Sequence, residues 1–284
     1  MVNLTYPTIN TSTNTSTNMR LLFYFVISIC ITPIFAEESQ NLYRAVYSFD
    51  YIRDSINNTY SNDIINLDLS QEGSFCYSQY SWELDSLLLA PHGYKLYREL
   101  IANAIKKEGP LSISYPHRRS KFMIQKKYNQ PYILVQNWLD GEYYQYDDKK
   151  SDFIWEITDN TDTIKGYPVV QATCLYHGRK WNAWFTTELP WSDGPWKFTG
   201  LPGLIIKITD SSGLYLFELQ SIYSTKNIKS PWIKECKITT RMKFNKAEYE
   251  YYTRSDNGML FHNIDQSKFK ERMYRIGLET DYER

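Results

Sequence analysis

Trp191-Ser192-Asp193-Gly194-Pro195-Trp196-Lys197-Phe198-Thr199-Gly200-Leu201-Pro202-Gly203-Leu204 is the stretch on which the reading of this chain turns. Glycine reaches backbone angles closed to other residues, and proline fixes its own φ, so a segment this rich in both specifies one backbone path. Leu201-Pro202-Gly203-Leu204 carries Pro and Gly at the second and third positions of a type II turn, and it feeds the apolar run Leu204–Ile208, which reads as a strand. Asp193-Gly194-Pro195 makes an earlier turn, and Trp196-Lys197-Phe198 is a short aromatic rung between the two. Such a loop either folds over and covers a sheet edge, with its tryptophans packed as core, or offers its rings to a ligand. The candidate ligand or motif residues are Trp184, Trp191, Asp193, Gly194, Pro195, Trp196, Lys197, Phe198, Gly200, Leu201, Pro202 and Gly203.

Around this stretch the sequence reads as short strands joined by tight turns. Ala45–Ile52, Ile64–Leu69, Phe75–Trp82, Phe122–Lys127, Tyr132–Leu139, Glu142–Tyr146, Ile154–Ile157, Val169–Tyr176, Lys180–Thr186, Leu214–Ile222 and Cys236–Phe244 are aromatic or β-branched segments with strand character. Asp140-Gly141 is a two-residue hairpin signal. Trp181 and Trp184, three apart in a strand, point to opposite faces. Residues 147–152 read as a solvated charged turn, and Glu83–Pro91 as irregular. Tyr94–Lys107 is the one strong helix: Leu96, Leu100, Ile101, Ala104 and Ile105 form a stripe suited to packing on a sheet face. Asn245 with Glu248 three residues on suggests the start of a short helix. Hairpins without βαβ alternation predict an all-β fold with one or two helices: a strongly curved antiparallel sheet, an open barrel or a two-layer sandwich.

Composition agrees. Hydrophobic residues make up 42% of the 284 and aromatics 16%, with 25 Tyr and 8 Trp. The formal net charge is zero, which gives no bulk field for nucleic acid or an anionic membrane. The N-terminus carries an export signal. Residues 3–18 are a polar, low-complexity leader. Met19-Arg20, the apolar run Leu21–Ile31 and Pro33-Ile34-Phe35-Ala36 form a short signal peptide, with Met19 the expected start and cleavage expected after Ala36. The expected divisions are residues 1–36 as leader and signal, 37–262 as one β-rich domain and 263–284 as a charged, loosely helical tail. Export places the chain in the periplasm, the cell envelope or outside the cell, with no membrane span after cleavage.

Cys76, Cys174 and Cys236 remain after cleavage, and they leave three choices of disulfide or none. Their wide spacing contains no CxxC and argues against zinc. GxSxG, HExxH, a Walker loop and GxGxxG are all absent, and His92, His117, His177 and His262 lack ligand spacing. No metal, cofactor or catalytic group is expected.

Gly200-Leu201-Pro202-Gly203-Leu204-Ile205 spells the hexapeptide that names the GLPGLI family of exported Bacteroidetes proteins, and the chain resembles that family over residues 154–222. The resemblance extends through Ile164-Lys165-Gly166-Tyr167, Gln171-Ala172-Thr173, Gly178-Arg179-Lys180, Ala183-Trp184-Phe185-Thr186, Leu189-Pro190, Asp193 to Phe198, Asp210, Gly213 and Phe217-Glu218-Leu219. Val169 stands where the family usually carries a cysteine, a departure from its pattern. The resemblance implies an exported, β-rich protein of no established activity, with no catalytic residue to carry over. It also looks like exported proteins built on one curved antiparallel sheet, such as lipoprotein carriers. The function expected first is non-enzymatic binding of an apolar or glycan ligand, or of a protein partner. The alternatives are an enzyme or accessory module acting on glycoproteins and a structural part of an outer-membrane assembly.

Overall fold

A computed structural model describes residues 42–54, 58–110, 112, 114–226, 235–253 and 277–281. All of them lie in one compact unit, Gln40–Arg284. The leader, the signal sequence, His262 and most of the 263–284 tail lie outside the described residues.

The described residues form one twelve-stranded sheet. Strands β1 (Leu42–Asp54), β2 (Thr59–Leu69), β3 (Gly73–Ser78), β4 (Met123–Lys127), β5 (Tyr132–Leu139) and β6 (Glu142–Lys149) run as a first antiparallel meander. A second contains β7 (Glu156–Ile164), β8 (Tyr167–Tyr176), β9 (Arg179–Thr186), β10 (Leu204–Asp210) and β11 (Tyr215–Thr225). The two meanders join where β11 pairs antiparallel with β1, and the short β12 (Lys237–Ile238) adds to β6 in parallel. The fold is thus β-rich and antiparallel almost throughout, as the hairpin signals require. Asp140 and Gly141 have φ of 49° and 85°, the two positive values a tight hairpin needs.

The sheet is rolled but not closed. Strands β6 and β8 stand near opposite ends of the strand order. Yet Tyr176 of β8 donates its hydroxyl to Asp148 of β6 at 2.8 Å. Tyr47 of β1 also donates to the Ile205 carbonyl of β10, two strands away, at 2.7 Å. The inward positions form one continuous core: Ala45, Tyr47 and Phe49 from β1, Ile65 and Leu67 from β2, Trp181 and Ala183 from β9, Phe217 and Leu219 from β11. The concave face is filled as well as lined, because Trp196, Phe198 and Leu201 of the 191–204 segment lie within that core. This segment therefore plugs the roll rather than folding over a sheet edge.

Among the described residues three α-helices decorate the sheet: α1 (Gln79–Leu89), α2 (Gly93–Glu108) and α3 (Arg241–Thr253). Residues 79–91, expected as a strand end and irregular chain, are mostly α1, because the Ser78 hydroxyl caps the Ser81 N–H at 3.2 Å. Helix α1 covers the outer face, where Trp82 packs on Phe75, Tyr77 and Met123. Helix α2 has the expected extent but not the expected seat: it lies on α1, and Leu96 and Ile105 of its apolar stripe are 47% and 40% exposed. The predicted strand Cys236–Phe244 is strand only at Lys237–Ile238. Thr240 accepts from the N–H of Phe244 at 2.9 Å and starts α3 there, so Asn245 lies inside the helix instead of capping it. Among the described residues no helix is long and apolar enough to cross a membrane.

Candidate functional site

The 191–204 segment is held inside the roll by one buried cation. Phe122, just before β4, and Ile124 and Lys126 on it alternate towards the concave face. The Lys126 ammonium donates to the carbonyls of Gly194 at 2.7 Å and of Trp196 and Phe198 at 3.1 Å each, and it pairs with the Asp193 carboxylate. Both side chains of that pair are fully buried. Cys76 accepts from the Trp196 N–H at 3.2 Å, and burial pushes its thiol up to about 12. So anchored, Trp196 sits at φ +50°, a left-handed conformation that costs a bulky residue about 1–2 kcal/mol.

Next to Trp196, Lys197 centres a second buried network. Its ammonium donates to Asp148 Oδ2 at 2.9 Å and to Glu279 Oε1. The Tyr146 and Trp196 rings each lie 5.1 Å from it. Glu279 Oε2 accepts from Arg241 at 3.0 Å and from Asn245. The His177 ring lies between Asp148, 3.1 Å from Nε2, and Asp281, 3.0 Å from Nδ1. Hydrogen bonds from His177 and the Lys197 charge overcome the cost of burial and hold Asp148 far below the usual carboxylate range. The carboxylates in turn raise Lys197 despite its burial. Asp148, His177 and Glu279 bring ligand atoms within 4.8 Å of one another, a spacing a metal could use. The Lys197 ammonium already donates to two of the three, so the donor set matches a buried ion network better than a metal centre.

Over these networks opens a cavity of about 310 Å³. That is at the small end of ligand pockets. Trp196 forms part of its lining, and Phe49, Tyr51, Phe122, Tyr146 and Tyr215 supply aromatic walls. Polar groups enter from two sides. Arg119, Lys121 and Asn137 come from the sheet side, and Asn245, Glu248 and Tyr249 share one face of α3 at i, i+3, i+4 spacing. Burial raises the Glu248 carboxyl to about 7, against the smaller opposing pull of Lys121. Burial also lowers Lys121, whose ammonium lies 4.6 Å from the Trp138 ring.

Of the twelve candidate residues, Trp196 alone is in the lining of this cavity. Trp184 is half-buried on the face opposite Trp181, and Trp191 packs on the Tyr43 ring at 5.0 Å. Phe198 and Leu201 are core, and Pro202 is exposed. A Cβ at Gly194 would lie 2.7 Å from Ile205 Cδ1. Gly200, at φ +96°, faces Trp155, whose indole donates to the Thr199 carbonyl at 2.8 Å. The 201–204 turn differs from the expected type II: Gly203 has φ +159° and donates to Leu201, with Leu204 bonded instead to Leu189. The cysteines are unbridged, Cys76 and Cys174 buried and Cys236 half-buried.

Asp148, expected in a solvated turn, is 5% exposed. Its signal was in the sequence: the inward alternation Tyr144, Tyr146 continues to Asp148. Glu279 carried no such signal, because it comes from a distant segment.

A family model described as "Protein of unknown function (Porph_ging)" matches residues 176–207, within the stretch that carries the GLPGLI hexapeptide. No curated protein matches. Two solved structures of PNGF-II, in different space groups, are similar over 75% of this chain. Their identities are 12% and 13% and their TM-scores 0.50 and 0.49. The chain spans about a third of the length of those chains (34% and 33%). At such identity the likeness concerns the fold alone.

Proposed function

We propose that this is an exported protein of the GLPGLI type that binds a small ligand with an apolar face, glycan or otherwise, in the cavity over Trp196. Export rests on the signal-like residues 19–36. The observation that carries binding is the cavity itself, a space beside the packed core that is walled by aromatic rings and edged by polar groups from α3 and the sheet. The 191–204 segment packs its rings into the interior of the roll and the cavity beside it is about 310 Å³, so the ligand is small.

The test is native mass spectrometry against lipid and glycan panels, with Asn137→Trp as a cavity-filling variant. The wild type takes up one molecule and the variant none, at similar melting temperatures. Uptake by neither protein, or equally by both, contradicts the reading.

One observation favours a second reading, an enzyme. Glu248 and Glu279 line the same cavity, and their environments push them in opposite directions, Glu248 up and Glu279 down. It ranks second because both Glu279 oxygens are already taken, by Lys197 and by Arg241 with Asn245. Turnover of chromogenic glycosides by the wild type, lost in Glu248→Gln, would reverse that order.

A further inference from the structure

We propose that the bend between α1 and α2, with the outer side of α2, docks on a membrane surface rich in anionic lipid. Leu89, Tyr94 and Ile105 enter the head-group layer, and Lys95, Arg98 and Lys106 meet its phosphates. This is independent of the cavity and of what binds there.

Helix α1 packs on β2 and β3, and α2 packs on α1 as an outer layer. Gly93 lets the two helices close at their bend, because a Cβ there would run into the Leu87 carbonyl. The Gly93 N–H bonds the Ala90 carbonyl at 2.9 Å, and His92 takes φ +60°. The bend therefore holds its tip outward: Leu89 is 81% exposed and Tyr94 70%. Along α2, Ala104 marks the buried face. Tyr94, Arg98, Ile101 and Ile105 form a ridge beside it at i, i+4, i+7, i+11 spacing, and Ile105 is exposed as well. Exposed apolar side chains gathered into a patch with a polar rim mark an interaction surface, which singly scattered ones do not.

Charge selects the occupant. Lys95, Arg98 and Lys106 are exposed along α2, and among the described residues none of them is in an ion pair. The acids of the helix pair are mostly engaged. Glu108 accepts from the Ser112 and Ser114 hydroxyls and feels Lys107, Asp85 is paired with Arg118, and Glu83 accepts from Gln79. Glu99 alone is left against three cations, a local excess of positive charge. The whole chain has no net charge and so no long-range pull, which confines the attraction to this face. Each Lys or Arg held at an anionic bilayer strengthens binding about fivefold. Their stems lie along apolar surface while the heads reach phosphate, and a tyrosine ring belongs at the same depth. A second copy of the chain fits this face less well, because a two-fold pair sets the same cations against one another.

The experiment is co-flotation of the full chain with vesicles of phosphatidylcholine alone or of phosphatidylcholine with about one-third phosphatidylglycerol. The wild type is expected to bind the anionic vesicles at least about tenfold more tightly than the neutral ones in about 0.1 M salt, and to lose most of that preference in about 0.5 M salt. The double variant Lys95→Glu, Arg98→Glu should lose the preference. The double variant Leu89→Ser, Tyr94→Ser should bind the anionic vesicles at least about tenfold more weakly. Both should keep the wild-type melting temperature, because exposed substitutions cost little. The apolar run Leu21–Ile31 is common to all three proteins, so the differences between them report on α1 and α2. Equal binding to both kinds of vesicle, or wild-type binding by either double variant, would overturn the proposal. Binding to neither overturns it too and hands the face to a protein. That protein is a second copy if the wild type forms a dimer that Leu89→Ser, Tyr94→Ser abolishes.

Discussion

Gly203 shows how one residue fixes the path of the inner segment. A Cβ there would lie 2.0 Å from the Thr186 carbonyl oxygen and 2.7 Å from its carbon, both backbone atoms of a central strand that cannot yield. The close approach, more than any type II turn, is why glycine stands at this position. Gly203→Ala should destabilise the protein by about 2 kcal/mol or more in urea unfolding at pH 7. An unchanged midpoint would mean that the backbone does not pass so close to β9. Trp196 is the neighbouring case in which packing outweighs strain. Its left-handed φ is tolerated because Lys126 grips the carbonyls on both sides and the ring is buried against Trp181 and Phe198.

Among elements, the meeting of β6, the β8–β9 turn, α3 and residues 277–281 depends on Asp148. That carboxylate bonds Lys197, Tyr176 and His177, and Thr280 is stitched to the His177 carbonyl at 2.9 Å. Because the folded state holds Asp148 below its unfolded value of 3.8, its contribution is complete above about pH 5 and is lost as pH falls through the acid range. Asp148→Asn should therefore cost about 3–5 kcal/mol at pH 7, as breaking a buried pair does, and measurably less at pH 2.5, where part of that stabilisation is already lost. Chemical unfolding of both proteins at the two pH values measures this, and equal losses at both would show that the network does not hold the roll. Elements were legible in the sequence where one signal ruled them. Asp140-Gly141 made its hairpin, and the periodic run from Tyr94 to Lys107 made a helix. Legibility failed where a capping residue decided the matter, as Ser78 does for α1 with its hydroxyl and Thr240 for α3 with its carbonyl. It failed also for the seat of α2, since a stripe such as Leu96 to Ile105 tells that a face is apolar but not what covers it.

At the scale of the whole molecule, two antiparallel meanders meet at β1 and β11 and roll around a segment from the second. Strand alternation made the antiparallel, β-rich class readable from the chain. The roll was not, because it depends on contacts between residues far apart, such as Tyr176 with Asp148 and Lys126 with the carbonyls around Trp196. The site shares that limit. The tryptophan-rich stretch drew attention to Trp196, but the groups that make a cavity with it come from β1, β5, β6, β11, α3 and the tail. On the proposed function, ligand enters this cavity and spares the other tryptophans of the motif. The most direct measurement of this is an indole NMR titration with 2-phenylethylamine and 2-phenylethanol. We expect whichever probe binds to shift the Trp196 indole resonance and to leave Trp184 and Trp191 in place. Shifts at Trp184 or Trp191 with Trp196 unmoved would contradict the account.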